Sequence, residues 1–145
     1  MINNFKFIVF SGLIILTLNS FRYQTKLEDK LVGVWIFNVA EGEQLTYNRA
    51  KELKEDVGGY KFKKDDKLIY RQNMSWCGTS PISYKNYDGR WEISPDSVIT
   101  ITSGYYGGES EKKLKLISID NHTLKAVYIE SHRIEKPVML LNKTK

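Results

Sequence analysis

The sequence predicts an all-β fold: an eight-stranded antiparallel up-and-down barrel with one short helix after the first strand. Three observations lead there. From Leu31 onward the chain falls into eight short runs rich in Val, Ile, Tyr, Trp and Thr, cut by turn residues at close intervals. Most of these runs alternate apolar and polar residues with period two, which gives one dry and one wet face. Their connections sort by length into two sets, as the two ends of an up-and-down sheet require, and closure of such a sheet removes its unpaired edges.

The runs are Leu31 to Val39, Tyr60 to Lys64, Lys67 to Asn73, Asn86 to Ile93, Ser97 to Ser103, Glu111 to Ile119, His122 to Glu130 and Lys136 to Asn142. In the second run Tyr60 and Phe62 face away from Lys61 and Lys63. Leu68 and Tyr70 oppose Lys67 and Arg71, Trp91 and Ile93 oppose Arg90 and Glu92, and Leu124, Ala126 and Tyr128 oppose Lys125. The Glu111 run breaks parity, because Leu114 and Leu116 share one face while Ile117 and Ile119 take the other; this predicts a β-bulge near Leu116. Between the first two runs, Tyr47 to Val57 carries Ala50, Leu53 and Val57 on one helical stripe. Asn48 can cap its start and Gly58-Gly59 can end it, which predicts a short amphipathic helix.

The connections around Asp65-Asp66, Ser94-Pro95-Asp96 and Asp120-Asn121 are tight and have turn chemistry, so they define a closed end. The crossing Ala40 to Gly59 and the segments Met74 to Lys85, Gly104 to Ser110 and Ser131 to Glu135 are longer and gather at the opposite, open end. No internal repeat, linker or low-complexity tract divides the chain, whose length and composition suit one domain.

Residues 1–20 read as an export signal: Lys6 is the only charge ahead of the apolar run Phe7 to Leu18, which is too short to span a membrane, and cleavage is expected after Ser20. Residues 21–30 form a short lead and 31–143 the barrel domain. No Cys follows the apolar run, so no lipid anchor is expected, and the product is expected to be soluble in the periplasm or outside the cell. The lone Cys77 rules out an internal disulfide and is read as a buried small hydrophobe. Without residues 1–20 the chain keeps 21 basic and 17 acidic residues, a net of +4. Its densest basic stretch, Tyr60 to Arg71, is interrupted by Asp65 and Asp66 and alternates with apolar residues. That is the solvated face of a strand, and nucleic acid is not an expected partner.

Gly33-Val34-Trp35 opens the first strand. Together with the export signal, the eight runs and the end-sorted loops, and including Trp76-Cys77-Gly78-Thr79-Ser80-Pro81 and Gly89-Arg90-Trp91, the chain resembles a bacterial lipocalin-like domain, a calycin-type barrel, over roughly residues 31 to 143. The resemblance implies that Trp35 closes the barrel floor, and the connection lengths place Trp35 and Trp91 at the tight-turn end. It also implies a basic side chain against that Trp from near the last strand. Arg133 falls at the open end, which leaves Lys143 or Arg90, or a floor built differently. Carriage of a small, largely apolar molecule is the implied function; the fold alone fixes no ligand.

The candidate interior wall includes Phe62, Tyr70, Trp91 and Tyr128, with Leu68, Ile99, Leu114 and Leu124, and these side chains either line a pocket or fill the core. Trp76, Tyr105 and Tyr106 are candidate rim residues, since large aromatics among glycines suit an open mouth. His122 and His132 are assigned to opposite ends, so no shared metal and no cofactor are expected. Asp65-Asp66 and the Glu109-Ser110-Glu111 pair sit in turns, and Cys77 has no local base, so no catalysis is expected. The leading expectation is a barrel that binds a small, largely apolar ligand. The alternative is a solid-cored interaction module that binds a protein or envelope glycan through its open-end loops.

Overall fold

In the computed structural model, described over residues 27–74, 82–105 and 108–134, eight antiparallel strands close into a barrel. They are β1 (Gly33–Glu41), β2 (Gln44–Ala50), β3 (Gly59–Phe62), β4 (Lys67–Asn73), β5 (Tyr84–Ile93), β6 (Val98–Tyr105), β7 (Gly108–Ile119) and β8 (Thr123–Ile134). Around the wall the order is β1-β2-β8-β7-β6-β5-β4-β3, and β3 pairs with β1 to close the ring. Residues 1–26, 75–81, 106–107 and 135–145 lie outside the described residues. So do the expected export signal, Cys77, Trp76, Tyr106 and the run Lys136 to Asn142.

The three tight turns form where their chemistry put them. Lys63 N donates to Lys67 O at 2.9 Å around Asp65-Asp66, and Ser94 N donates to Val98 O at 2.9 Å. Asp120 Oδ1 accepts from the amides of His122 and Thr123 at 2.7 and 2.8 Å, an Asx turn that fixes the last hairpin. The β7–β8 register shifts between Leu116 and Ser118, so the bulge falls where parity broke. Ile117 is the extra, exposed residue and Ile119 returns to the inner face opposite Leu124.

The segment after β1 corrects the sequence reading. The expected helix over Tyr47 to Val57 does not form: its first residues belong to β2, which pairs with β1 on one side and β8 on the other. Leu45 and Tyr47 alternate inward with period two. A strand with a ladder on both sides outweighs the propensity of an isolated eleven-residue helix, which is marginal in water. The helical turn of the structure covers residues 27–31, ahead of β1 rather than after it.

β1 lies between β2 and β3 in the wall, so the order departs locally from a simple meander, and residues 51–58 cross back over the outside of β1. Phe37 N donates to Gly58 O at 2.9 Å, and Arg71 Nη2 donates to Glu55 O at 2.8 Å. Val57, Lys54 and Asp56 line a groove with Ile36, which explains why Ile36 is buried although the inward face of the strand at this level carries Trp35. At the mouth, two expected loops are shorter than predicted. Tyr105 pairs with Gly108, so β6 and β7 join across 106–107, and Ser131 to Ile134 continue β8 as far as Glu109. The Gly, Ser and charged residues that read as loop composition sustain alternation across this ladder.

The floor is built from the helical turn and two strands. Leu31 and Trp35 are fully buried, and Trp35 Nε1 donates to Leu31 O at 2.7 Å. The Arg49 guanidinium of β2 lies 4.4 Å from the centroid of the Trp35 ring and donates to Lys30 O at 2.6 Å and Val32 O at 3.2 Å. A basic side chain therefore does cover the floor Trp. It comes from β2, directly opposite Trp35 in the register, and not from Arg90, Lys143 or the last strand. Gly33 is part of the same device: its φ is +139°, and a Cβ there would stand 2.6 Å from Arg49 Nη1. In Gly33-x-Trp35 the glycine leaves room for the guanidinium and the tryptophan supplies its face.

Candidate functional site

Above the floor the lower barrel is solid. Phe62, Leu68, Trp91, Ile93, Ile99, Leu114, Leu116, Leu124 and Ala126 are buried in one cluster with Trp35. Trp91 donates from Nε1 to Lys63 O at 3.0 Å, at the tight-turn end with Trp35. Of the expected interior wall, Phe62 and Trp91 are thus core, in edge-to-face contact at 5.2 Å.

The upper barrel differs because β3 is short. It leaves β1 at the Ile36–Gly59 pair and β4 at the Arg71–Gly59 pair, while β1 continues to Glu41 and β4 to Asn73. The wall between β1 and β4 is therefore open above Gly59. Through this slot runs a cavity of about 230 Å³ bordered by Phe37, Tyr47, Tyr60 and Tyr70 together with residues 71–73 and Tyr84. Its rings form one chain. Phe37 meets Tyr47 edge-on at 5.8 Å, Tyr47 meets Tyr60 at 5.5 Å, and Tyr60 stacks on Tyr70 at 4.8 Å and 17°. Larger hollows of about 360 and 380 Å³ lie beside the helical turn and beside the crossover; the first has none of these rings in its wall, and the second shares only Phe37 with the chamber.

A charged group adjoins the chamber at Tyr70. Lys112 Nζ donates to the Tyr70 hydroxyl at 2.8 Å and sits 4.2 Å from that ring's centroid. β4 and β7 are separated in the wall by β5 and β6, so this contact crosses the barrel interior. Lys112 lies opposite Ile101, and the next inward pair is Ser103 with Ser110, all three partners being buried. Ser103 is 2% exposed, and its Oγ has no hydrogen-bond partner among the described residues. Arg133 continues the inward face beside Ser110, with its guanidinium 5.9 Å from the Tyr105 ring. Every acid of the strands (Glu41, Asp88, Glu92, Glu109, Glu111 and Glu130) falls on the outward register, where Lys113 pairs with Glu130 at 2.7 Å.

Tyr70 therefore stands in the chamber wall. Tyr128 pairs with Leu114 beside a register shift and is 39% exposed, so it does not take the interior place expected from its alternation. Tyr105 ends β6 at the mouth. His122 lies in the last closed-end turn, and His132 is on β8 near the mouth beside Glu130 at 3.1 Å. Among the described residues no cluster of three or more His, Cys, Asp or Glu is placed to hold a metal, and no helix is long and apolar enough to cross a membrane. Phe37, Tyr47, Tyr60, Ser103 and Lys112 were not singled out from the sequence. Extending the Leu114/Leu116 face back by two and four residues points to Lys112 and Ser110, and the Ile99/Ile101 face continues to Ser103.

Burial pushes the phenols of Tyr47 and Tyr60 above their ordinary value of 10.0, and repulsion between the neighbouring ring hydroxyls adds to it. Both remain neutral while the unfolded chain ionises. Their contribution to stability is complete below pH 10.0 and is lost as pH rises from there towards the folded-state values. In urea titrations followed by tryptophan fluorescence, the midpoint should hold to about pH 9 and fall steadily beyond pH 10, with a shallower fall in Tyr47→Phe. An identical alkaline slope in the variant would contradict burial of this hydroxyl. Compared with models of protein families, with curated proteins and with solved structures, the chain matches none.

Proposed function

We propose that this chain is an exported, lipocalin-like barrel that holds a small, largely apolar molecule and performs no catalysis. The observation that carries the reading is the slot between β1 and β4, which opens an aromatic chamber above a filled floor. Above Gly59 the β3 ladder no longer covers β1 and β4, and Phe37 at the slot is 36% exposed, an apolar surface that a bound molecule can cover. A ligand seated among Phe37, Tyr47, Tyr60 and Tyr70 covers that surface. At about 230 Å³ the chamber is below the ~300–1,000 Å³ common for drug-sized ligands, so the cargo is small. Control of entry is assigned to the expected rim set, of which Tyr105 ends β6 and Trp76 and Tyr106 lie outside the described residues.

Native mass spectrometry of the protein purified from its own host tests both halves of the reading. The expected spectrum shows a chain beginning at Phe21 and a reproducible small-molecule adduct that Tyr47→Ala or Tyr60→Ala weakens. An intact amino terminus would remove export by this signal. A clean apo mass, with a partner co-purifying at the loops, would replace the carrier by an interaction module.

A further inference from the structure

Resting on the carrier reading above, we propose that the bound molecule is an organic anion: its carboxylate or similar oxyanion is met by Lys112 Nζ and the Ser103 hydroxyl, and its apolar body lies against Tyr60 and Tyr70. Three independent features converge on this chemistry.

The first is the sign of the inner surface. All six strand acids point outward, whereas Lys112 crosses the interior and Arg133 continues the same inward face at the mouth. Among the described residues Lys112 has no acid partner and donates to the Tyr70 hydroxyl at 2.8 Å; Lys113, one residue on, faces outward and is matched by Glu111 and Glu130. An inner face that carries cations and, among the described strand residues, no carboxylate has a positive field, which low-dielectric walls strengthen. The second is Ser103 Oγ, buried to 2% and without a hydrogen-bond partner among the described residues, a donor whose desolvation is uncompensated until an acceptor arrives. The third is register. Ser103 faces Ser110 and Ile101 faces Lys112, so Ser103 and Lys112 are diagonal neighbours on one face, about 7–8 Å apart at the backbone, and one oxyanion can bridge them. Tyr70 borders the cavity, stacks on Tyr60 and accepts from Lys112, so it is the residue that joins the polar corner to the rings.

The test compares 2-naphthoate with 2-naphthamide, which share a ring system and differ in charge, by titration calorimetry with the purified full chain at neutral pH and low salt. Naphthoate should bind about tenfold or more tightly than the amide. Lys112→Met should bring naphthoate down to the amide's affinity while leaving the amide within about twofold, Lys112→Arg should keep most of the preference, and Ser103→Ala should lose about threefold for naphthoate alone. The wild-type ratio needs no variant, so a poorly folding Lys112→Met leaves the test intact. Equal binding of the two probes would overturn the anion assignment and leave the carrier reading standing. Failure of both probes, with no adduct on the native protein, would overturn both.

Discussion

Trp35→Ala is expected to lower the unfolding free energy by about 3–5 kcal/mol, the range for truncating a fully buried large aromatic. Trp35 is 0% exposed and does three things at once. Its ring fills the bottom of the barrel against Leu31, its Nε1 satisfies the Leu31 carbonyl at the end of the helical turn, and its face receives Arg49. Alanine leaves a cavity, a carbonyl without its donor and a guanidinium without its platform, and these losses add because they fall on different partners. Trp35→Phe keeps most of the volume and loses the N–H, at about 1–2 kcal/mol. Arg49→Ala, whose side chain is solvent-accessible, should cost about 1–2 kcal/mol through its carbonyl bonds and ring contact. The double variant should cost less than the sum of the two singles, because the ring contact is counted in both. Urea unfolding followed by the remaining tryptophans measures all of these. A cost below about 1 kcal/mol for Trp35→Ala would mean that the floor is closed by something other than this residue.

The same variant reaches the lower edge of the chamber. Trp35 stands directly opposite Tyr60 in the β1–β3 register and belongs to one buried cluster with Tyr47 and Tyr60. A molecule held against Tyr60 should therefore lose affinity in a Trp35→Ala protein that is still folded under the conditions of the assay, whereas unchanged affinity would place the molecule away from Tyr60.

How much of this could be read from the residues depended on range. Period two gave the inward faces of β3, β4, β5, β6 and the first half of β8, because each is decided by an alternation a few residues long. The parity break at Leu116–Ile117 located a bulge for the same reason. The end at which each tight turn lies followed from turn chemistry, and with it the position of Trp35 and Trp91. What failed was pairing at a distance. Tyr47 to Val57 carries a helical stripe and a strand pattern together, and the choice was made by β1 and β8 on either side, which no local pattern reports. The stripe residues still cover the barrel: Leu53 lies against Gly59 and Val57 against Ile36, in an extended crossover. Arg49 was missed as the floor cation because its position opposite Trp35 exists only once β2 is a strand. Lys112 was missed because a lysine two residues before an apolar pair reads as the end of a dry face. In fact the alternation continues and the face turns polar within the barrel, and that change of character halfway up the wall is what makes a site of it.

Gly89→Ala is the second change with a large expected effect, about 3 kcal/mol, at the upper end of the range for overpacking. Gly89 stands in β5 opposite Leu68 of β4 and Ser103 of β6. A Cβ there would lie 2.4 Å from the Thr102 carbonyl oxygen and 2.9 Å from Ser103 Cβ. Neither is the far end of a flexible side chain. Relief requires β6 to move as a unit, and the pairs that hold it, Trp91 with Ile101 and Ile93 with Ile99, are core contacts. Gly104→Ala is the matched control on β6, the residue after Ser103: its nearest neighbour is Tyr87 Cδ1 at 3.2 Å, a side chain that can rotate, so its cost should stay below about 1 kcal/mol. Urea midpoints give the energies, and hydrogen exchange at Thr102 and Ser103 tells whether the displaced element is β6. The displacement carries Ser103 with it, so a folded Gly89→Ala protein should also discriminate less between naphthoate and naphthamide, while Gly104→Ala retains the full preference. Equal stability costs for the two alanines would show that the β5–β6 contact has more room than the 2.4 Å approach allows, and Ser103 would then not be held in a fixed position against the chamber.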